Sequence, residues 1–357
     1  VVPVKLFTVG PVACYPAVLD AMGRQMYSHR SVEYQALHRD TVARLQAFIE
    51  TEHPVFLFSS TGTGFMEACV RNCVERAMLC CVNGSFGQRF ADVAVANGRD
   101  VVTVTTPLGE PTTPALLDAQ LSNAPDVEAV AITHNETSVG LLNPLAELAD
   151  VVREHGKLLF VDAVSAMGGT ELQVDAWGID VCFSSSQKCF GVPPGLAVGS
   201  VSAEALARSS TATAKGWYFD FALWERYQRR AGTPMTSVIP QIAGLNAILK
   251  RIEAWGGKAE YYRRYKERNG RIRRGLATHG FTTFPRPGYE SPTVTCVNAP
   301  HHGIEIYERM RARGFELAQG YGAIRASTFR IGNMGHVELE DIDAMLDTLG
   351  DVADNLD

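Results

Sequence analysis

Absences narrow the field before any motif is read. No apolar run approaches the roughly 20 residues that span a bilayer, so no membrane segment is expected. Cations are not in excess. Lys and Arg total 33 against 39 Asp and Glu, a net charge of −6, so nucleic acid is not an expected partner. The eight cysteines, at positions 14, 69, 73, 80, 81, 182, 189 and 296, form no paired CxxC arrangement. Neither a metal site nor a disulfide framework is therefore expected. The opening run VVPVKLFTVGPV has neither the basic region nor the long apolar stretch of a signal peptide, and a reducing cytoplasm is the expected compartment. No Gly-Lys-Ser/Thr loop occurs, and no GxGxxG follows the first apolar run. P-loop and dinucleotide-binding readings therefore have no support.

What remains is a globular composition, 46% hydrophobic and 20% charged over 357 residues, long enough for about two domains. Short apolar runs alternate with helical stretches from about 55 to 201. The runs are 55–59, 78–82, 101–104, 127–133, 158–162, 180–186 and 196–201. The spacing predicts helices at about 64–76, 87–97, 114–121 and 143–155, the last opened by Asn143 as N-cap with Pro144 in the first turn. Apolar strands separated by helices predict a mainly parallel, seven-stranded α/β sheet covered on both faces. Beyond about 235 the pattern changes. Helices at about 237–254 and 258–279 precede strands near 293–297 and 327–331, with helices at about 303–313 and from 338. We expect an N-terminal arm and large domain over 1–252 and a small α+β domain over 253–357.

Ligands of a parallel sheet collect at the carboxyl ends of its strands. Lys188 lies there, in SSSQKCFGVPPG, on a turn forced by Gly191, Pro193, Pro194 and Gly195. A lysine in a dry pocket loses its proton near neutral pH and attacks carbonyls, of which the usual one is pyridoxal phosphate. SSTGTGFMEA (59–68) joins a strand to a helix, so Thr61, Gly62 and Thr63 suit a phosphate at a helix N-terminus. Asp162 ends the apolar run LLFV, where a carboxylate needs a cationic partner such as a protonated pyridine nitrogen. In THNETSVG (133–140), Asn135, Glu136, Thr137 and Ser138 suit a phenolic oxygen or a phosphate. Phe86, after the turn in VNGSFGQRF, suits a flat ring. Taken singly, these are also what a tight turn, a capped helix, a polar loop and a core aromatic would leave. Their order is more specific: phosphate turn, aromatic, polar loop, aspartate, then a lysine 26 residues after the aspartate.

That order resembles the class V aminotransferases of PLP fold type I, and within them the alanine–glyoxylate and serine–pyruvate group. The resemblance runs from FTVGP (7–11) through SHRS, TGTGFMEA, NGSFGQR, HNETSVG, VDAVSAMGG, SSSQKCFGVPPG and GTP to FRIGNMG (329–335). It implies that Lys188 carries the cofactor pyridoxal 5′-phosphate as a Schiff base and shuttles protons. It implies that Asp162 pairs with the pyridine nitrogen, Val164 packs on the ring and Phe86 stacks on it. Thr61, Gly62, Thr63 and Gln187 bind the phosphate, and Thr137 lies near the ring oxygen. Thr233 of GTP reaches the phosphate in the partner of a homodimer, although Arg230 stands where relatives often carry a tyrosine. Arg330 of FRIG takes the substrate carboxylate, and Gly10 and Pro11 line the substrate mouth. The implied reaction is transamination between alanine or serine and glyoxylate or pyruvate.

Alternatives on the same fold stay open. They are a phosphoserine, aspartate or 2-aminoethylphosphonate aminotransferase, with Arg325 or Arg30 as further cations. A lyase or cysteine desulfurase has less support. Gln187 stands where those enzymes carry histidine, and Cys296 lies in a strand-like run.

Overall fold

The computed structural model describes residues 4–356. The seven apolar runs form one sheet: β1 (Val55–Phe58), β2 (Ala77–Val82), β3 (Asp100–Thr105), β4 (Ala129–Thr133), β5 (Leu158–Asp162), β6 (Val181–Ser185) and β7 (Ala197–Val201). Their order is β1-β7-β6-β5-β4-β2-β3. β2 pairs in parallel with β3 and β4, β4 with β5, and β5 with β6. Every residue of β1, β4, β5, β6 and β7 is buried, which explains why these strands read as continuous apolar runs without alternation.

β7 is the exception to the parallel arrangement, running antiparallel between β6 and β1. The connection from β6 is too short for a helical crossover, so the chain turns back on itself. Lys188 sits on that turn.

Helices α1 (Gly62–Cys73) and α2 (Ser85–Ala96) start at the carboxyl ends of β1 and β2. Helix α3 (Ile239–Ala254) leads into the long α4 (Lys258–Thr278), followed by a second sheet of β8 (Val294–Asn298), β9 (Ala318–Gln319) and β10 (Thr328–Gly332). This sheet is antiparallel in the order β8-β10-β9. Apolar clusters fill both faces of the large sheet, and another lies under the small one. Helix α4 enters two of them. Tyr261 and Tyr265 pack with the large-sheet core, and Ile272 and Leu276 with the small-sheet core. The chain's start also crosses over: Lys5–Leu6 pairs in parallel with Phe315–Glu316, and Phe7 joins the small-sheet core.

Four helices carried no expectation from the sequence: Pro16–Met22, Val32–Ile49, Ala203–Thr211 and Phe221–Gln228. The buried face of Val32–Ile49 includes His38 and Thr41, which blurs its apolar stripe. Asn143 corrects the sequence reading in one respect. The helix begins later, at Leu145, with no side-chain cap. The Asn143 amide instead donates to the Thr133 carbonyl at 2.7 Å and accepts from Asn83 at 2.6 Å, tying two strand ends together. Among the described residues, no helix is long and apolar enough to cross a membrane.

Candidate active site

The carboxyl ends of β1, β2, β5 and β6 surround a cleft of about 300 Å³. It is lined by Thr61, Gly62 and Thr63 on one side and by Gln187 and Lys188 on another, with Phe86, Asp162 and Val164 between them. Behind this lining lies a cluster of buried aromatic rings. Phe65 of α1 stacks on Phe58 at 4.2 Å and on Phe183 at 5.5 Å between ring centroids. Such a cluster lowers the local dielectric and disfavours charge beside it.

The two titratable groups of the cleft respond in opposite senses. Burial pushes the Asp162 carboxyl up to about 7. Burial brings the Lys188 amine down to about 8. The Asp162 side chain accepts one hydrogen bond, from the Val164 N–H at 2.9 Å. Lys188 Nζ donates to the Val9 carbonyl at 2.5 Å. Gly10 lies directly on the lysine: a Cβ there would come within 2.6 Å of Nζ, and its φ of +115° disfavours any side chain. Pro11 is exposed beside it.

Several polar groups at the cleft have no partner among the described residues. Ser185 Oγ and Gln187 Oε1 are buried and unpaired. Thr61 precedes α1 without capping it by its side chain, so the helix offers free N–H groups and its positive dipole end. Gly62 permits the close fit there, because a Cβ would stand 2.4 Å from Val164 Cγ2.

The polar loop after β4 is used differently. Glu136 Oε2 accepts the N–H groups of Phe86 and Gly87 at 3.0 and 3.1 Å, and Glu136 Oε1 accepts the Ser138 N–H at 3.1 Å and its hydroxyl at 2.5 Å. Ser138 Oγ accepts the Ser85 N–H at 3.0 Å. This pair caps α2 and fixes Phe86. Asn135 donates to Ser165 and Thr293, and the Thr137 hydroxyl meets Ser165 Oγ at 2.5 Å.

Arg330 comes from the middle of β10 and is buried. Its Nε donates to the Gln319 carbonyl and its Nη1 to the Thr137 carbonyl, both at 3.0 Å, which fixes the guanidinium and leaves Nη2 without a partner among the described residues. Tyr321 lies over it, 5.5 Å from Cζ to ring centroid. Arg325 is exposed and donates to the Gln319 side chain. Thr233 is buried apart from the cleft lining, with its hydroxyl on the Met235 carbonyl at 2.7 Å. Arg30 braces this segment, donating to the Thr233 carbonyl at 2.8 Å.

Sequence reading missed Met66, Arg89 and Ser185 in the lining. Helical spacing puts Arg89 one turn beyond Phe86, with Cζ 4.8 Å from the ring centroid. Ser185 ends β6, and Gln187 lies on the turn that follows it. Cys296 is fully buried, and burial pushes its thiol up to about 12, which disfavours the thiolate that a nucleophile needs. Among the described residues, no cluster of His, Cys, Asp and Glu could hold a metal.

Fold and cleft together define an α/β protein whose strand ends surround a cleft in which burial lowers the Lys188 amine and raises the Asp162 carboxyl. Residues 14–344 match the family described as aminotransferase class-V, and the chain belongs to that family. It is 30% identical to an L-aspartate–glyoxylate aminotransferase of Paracoccus denitrificans, over 92% of this chain and 86% of that one. It is 31% identical to a 2-aminoethylphosphonate–pyruvate transaminase of Bacteroides fragilis, over 97% and 98% respectively. The solved structure of an alanine–glyoxylate aminotransferase from Nostoc sp. superposes with a TM-score of 0.94 at 30% identity, covering 99% of this chain and 96% of that one. The fold is thus that of PLP fold type I aminotransferases, as the sequence resemblance implied.

Proposed function

We propose that this aminotransferase uses pyridoxal 5′-phosphate to move an amino group between alanine or serine and glyoxylate or pyruvate. The observation that carries the cofactor is one cleft holding Lys188 and Asp162 beside an uncapped helix N-terminus and the unpaired Ser185 and Gln187, and the likeness to an alanine–glyoxylate aminotransferase supports the substrates. The unpaired groups fit the cofactor. The free N–H groups at Thr61, Gly62 and Thr63, with Gln187, suit its phosphate. Phe86 and Val164 suit the two faces of its ring, and Thr137 its ring oxygen. When bound, the cofactor supplies an aldehyde and an electron-poor ring that stabilises negative charge at the substrate α-carbon.

The chain's own residues do the rest. Lys188, neutral for much of its time near pH 8, holds the cofactor and then takes the proton from the α-carbon. Asp162 holds a proton at the ring nitrogen, and that cation is the partner its buried carboxylate lacks. Arg330 presents Nη2 to the substrate carboxylate in a setting with little water, where a charge-assisted hydrogen bond is strong. Gly10 and Pro11 wall the mouth.

We propose a homodimer in which Thr233 serves the partner's phosphate site. Leu19, Met26, Tyr27 and Val32 are exposed large apolar residues within one short stretch and suit a subunit contact. A division into domains near residue 252 and a reducing, cytoplasmic setting, in keeping with eight free cysteines, complete the proposal.

One observation favours a second reading, an acidic donor such as aspartate or an aminophosphonate. Arg89 faces the cleft and pairs with no carboxylate among the described residues. Half-reactions decide between the two. The purified protein is loaded with pyridoxal phosphate, and its absorbance is followed as single donors are added. Bleaching by alanine and serine but not by aspartate or 2-aminoethylphosphonate supports the first reading. The reverse pattern supports the second, and no bleaching by any donor refutes both.

A further inference from the structure

Lys188 reaches the cofactor site on a flexible side chain, so its aim depends on the backbone that carries it. That backbone is held from behind. The turn closes on itself through the Gly191 N–H, which donates to the Lys188 carbonyl, and through Ser186 Oγ on the Pro193 carbonyl. The next carbonyl, that of Cys189, points away from the cleft into the protein. Two phenols meet it there: Tyr261 donates at 2.6 Å and Tyr265 at 2.9 Å. Both are fully buried, one helical turn apart on α4, with their rings edge to face at 5.2 Å. Burial pushes both phenols up, so they remain neutral donors.

The same helix also grips the segment that carries Arg330. The Gly335 N–H lies 3.4 Å from Tyr265 Oη, and Arg268 donates to the Gly335 carbonyl at 3.1 Å. Asn333 donates to the Tyr265 carbonyl at 3.3 Å. Asn269 donates to Thr295 Oγ1 at 3.1 Å, on β8 beside the Cys296–Arg330 register pair. One rigid helix thereby references both the lysine turn and the arginine strand.

We propose that Tyr261 and Tyr265 are positioning residues that fix the Lys188 backbone through the Cys189 carbonyl and set its register against Arg330. The proposal rests on the assignment of Lys188 to the cofactor. An amine misplaced by about 1 Å costs on the order of 100-fold in rate. A substrate held by Arg330 alone would bind as before.

The test uses Tyr261→Phe, Tyr265→Phe and the double variant, which keep the rings and remove only the hydroxyls. Two quantities are read: the rate at which cofactor-free protein captures pyridoxal phosphate, followed by absorbance, and the steady-state kinetics of fully loaded enzyme. Each single variant should lose roughly threefold to tenfold in capture rate and kcat, and the double variant roughly 10- to 100-fold, with KM within about threefold. A purely structural role predicts a lower melting temperature with capture rate and kcat per loaded molecule within about twofold of wild type, and that result overturns the proposal. Should the double variant not fold, the single variants decide by the same criterion. Lys188→Ala is measured alongside. If it turns over like wild type, the assignment of Lys188 fails. If it is dead while the tyrosine variants are unchanged, only the positioning role fails.

Discussion

Asp162, which ends β5, and Glu136, in the loop after the adjacent β4, are both buried carboxylates, yet their surroundings differ in kind. Glu136 accepts four hydrogen bonds, three from backbone N–H groups and one from the Ser138 hydroxyl. Asp162 accepts one. Burial raises both carboxyls, but at Glu136 four donors work against that rise. At Asp162 burial dominates and the carboxyl reaches about 7. A carboxylate satisfied by its own chain is a brace, here for α2 and Phe86. A carboxylate left short of partners in a dry place is waiting for a cation from outside the chain.

Substitutions can break this contrast. The largest effect is expected at Lys188. Lys188→Ala should lower turnover by about 10⁴-fold, the upper end for a positioned proton-transfer group, without lowering the melting temperature. A residual rate within tenfold of wild type would remove Lys188 from the chemistry. On the proposed role of Asp162, Asp162→Asn removes one partner of a buried ion pair with the cofactor. That should cost about 3–5 kcal/mol, roughly 100-fold to several thousand-fold in the rate of α-proton removal measured in single turnovers.

In the cofactor-free protein the same change should act in the opposite direction on stability. The folded carboxyl titrates near 7 and the unfolded one near 4, so the native state binds the extra proton between these values. This group's contribution to stability therefore falls as pH rises from about 4 to about 7, and its full penalty applies above that. Thermal melts across this window should show a steeper loss in wild type than in Asp162→Asn. Parallel curves would mean that Asp162 is already compensated.

Arg330→Ala comes next, with a loss of about 2–5 kcal/mol in the specificity constant and an unchanged cofactor spectrum. Arg330→Lys should recover only part of that, because lysine lacks the fork that meets Gln319 and Thr137 and still leaves Nη2 free. A fall below threefold in Arg330→Ala would shift the carboxylate role elsewhere, with Arg89 first in line by position. The smallest effect on chemistry is expected at the brace. Glu136→Gln should cost about 1–3 kcal/mol of stability through unmet N–H groups, with a lower melting temperature. It should leave kcat per loaded molecule far less changed than Asp162→Asn does. The reverse ranking would dissolve the distinction between brace and open site.

The sheet was legible in the sequence because strands buried on both faces have no choice but to be apolar, and all seven appear where the runs lie. The cleft residues were legible through motif order, since Thr61 to Thr63, Phe86, Asp162, Val164, Gln187 and Lys188 lie within one cavity. Local chemistry does not state its partner, however. Asn143 has the look of a helix cap and serves as a strand tie. Glu136 and Ser138 suit a ligand and serve a helix terminus. The Val9 carbonyl on Lys188 and the tyrosine pair on Cys189 come from residues 179 and more than 70 positions away, beyond any local pattern.

The crossover of the chain's start has a consequence for biosynthesis. Lys5–Leu6 pairs with Phe315–Glu316, and the Phe7 carbonyl accepts the Gly332 N–H. On the ribosome the large sheet is complete once residue 201 has emerged. The arm that brings Val9 and Gly10 onto Lys188 has no docking strand until synthesis has passed residue 316, and no Gly332 contact until it has passed residue 332. Residues 5–10 thus find their place only after most of the described chain has been made. A nascent chain stalled before that point should carry the lysine turn but lack the wall above it.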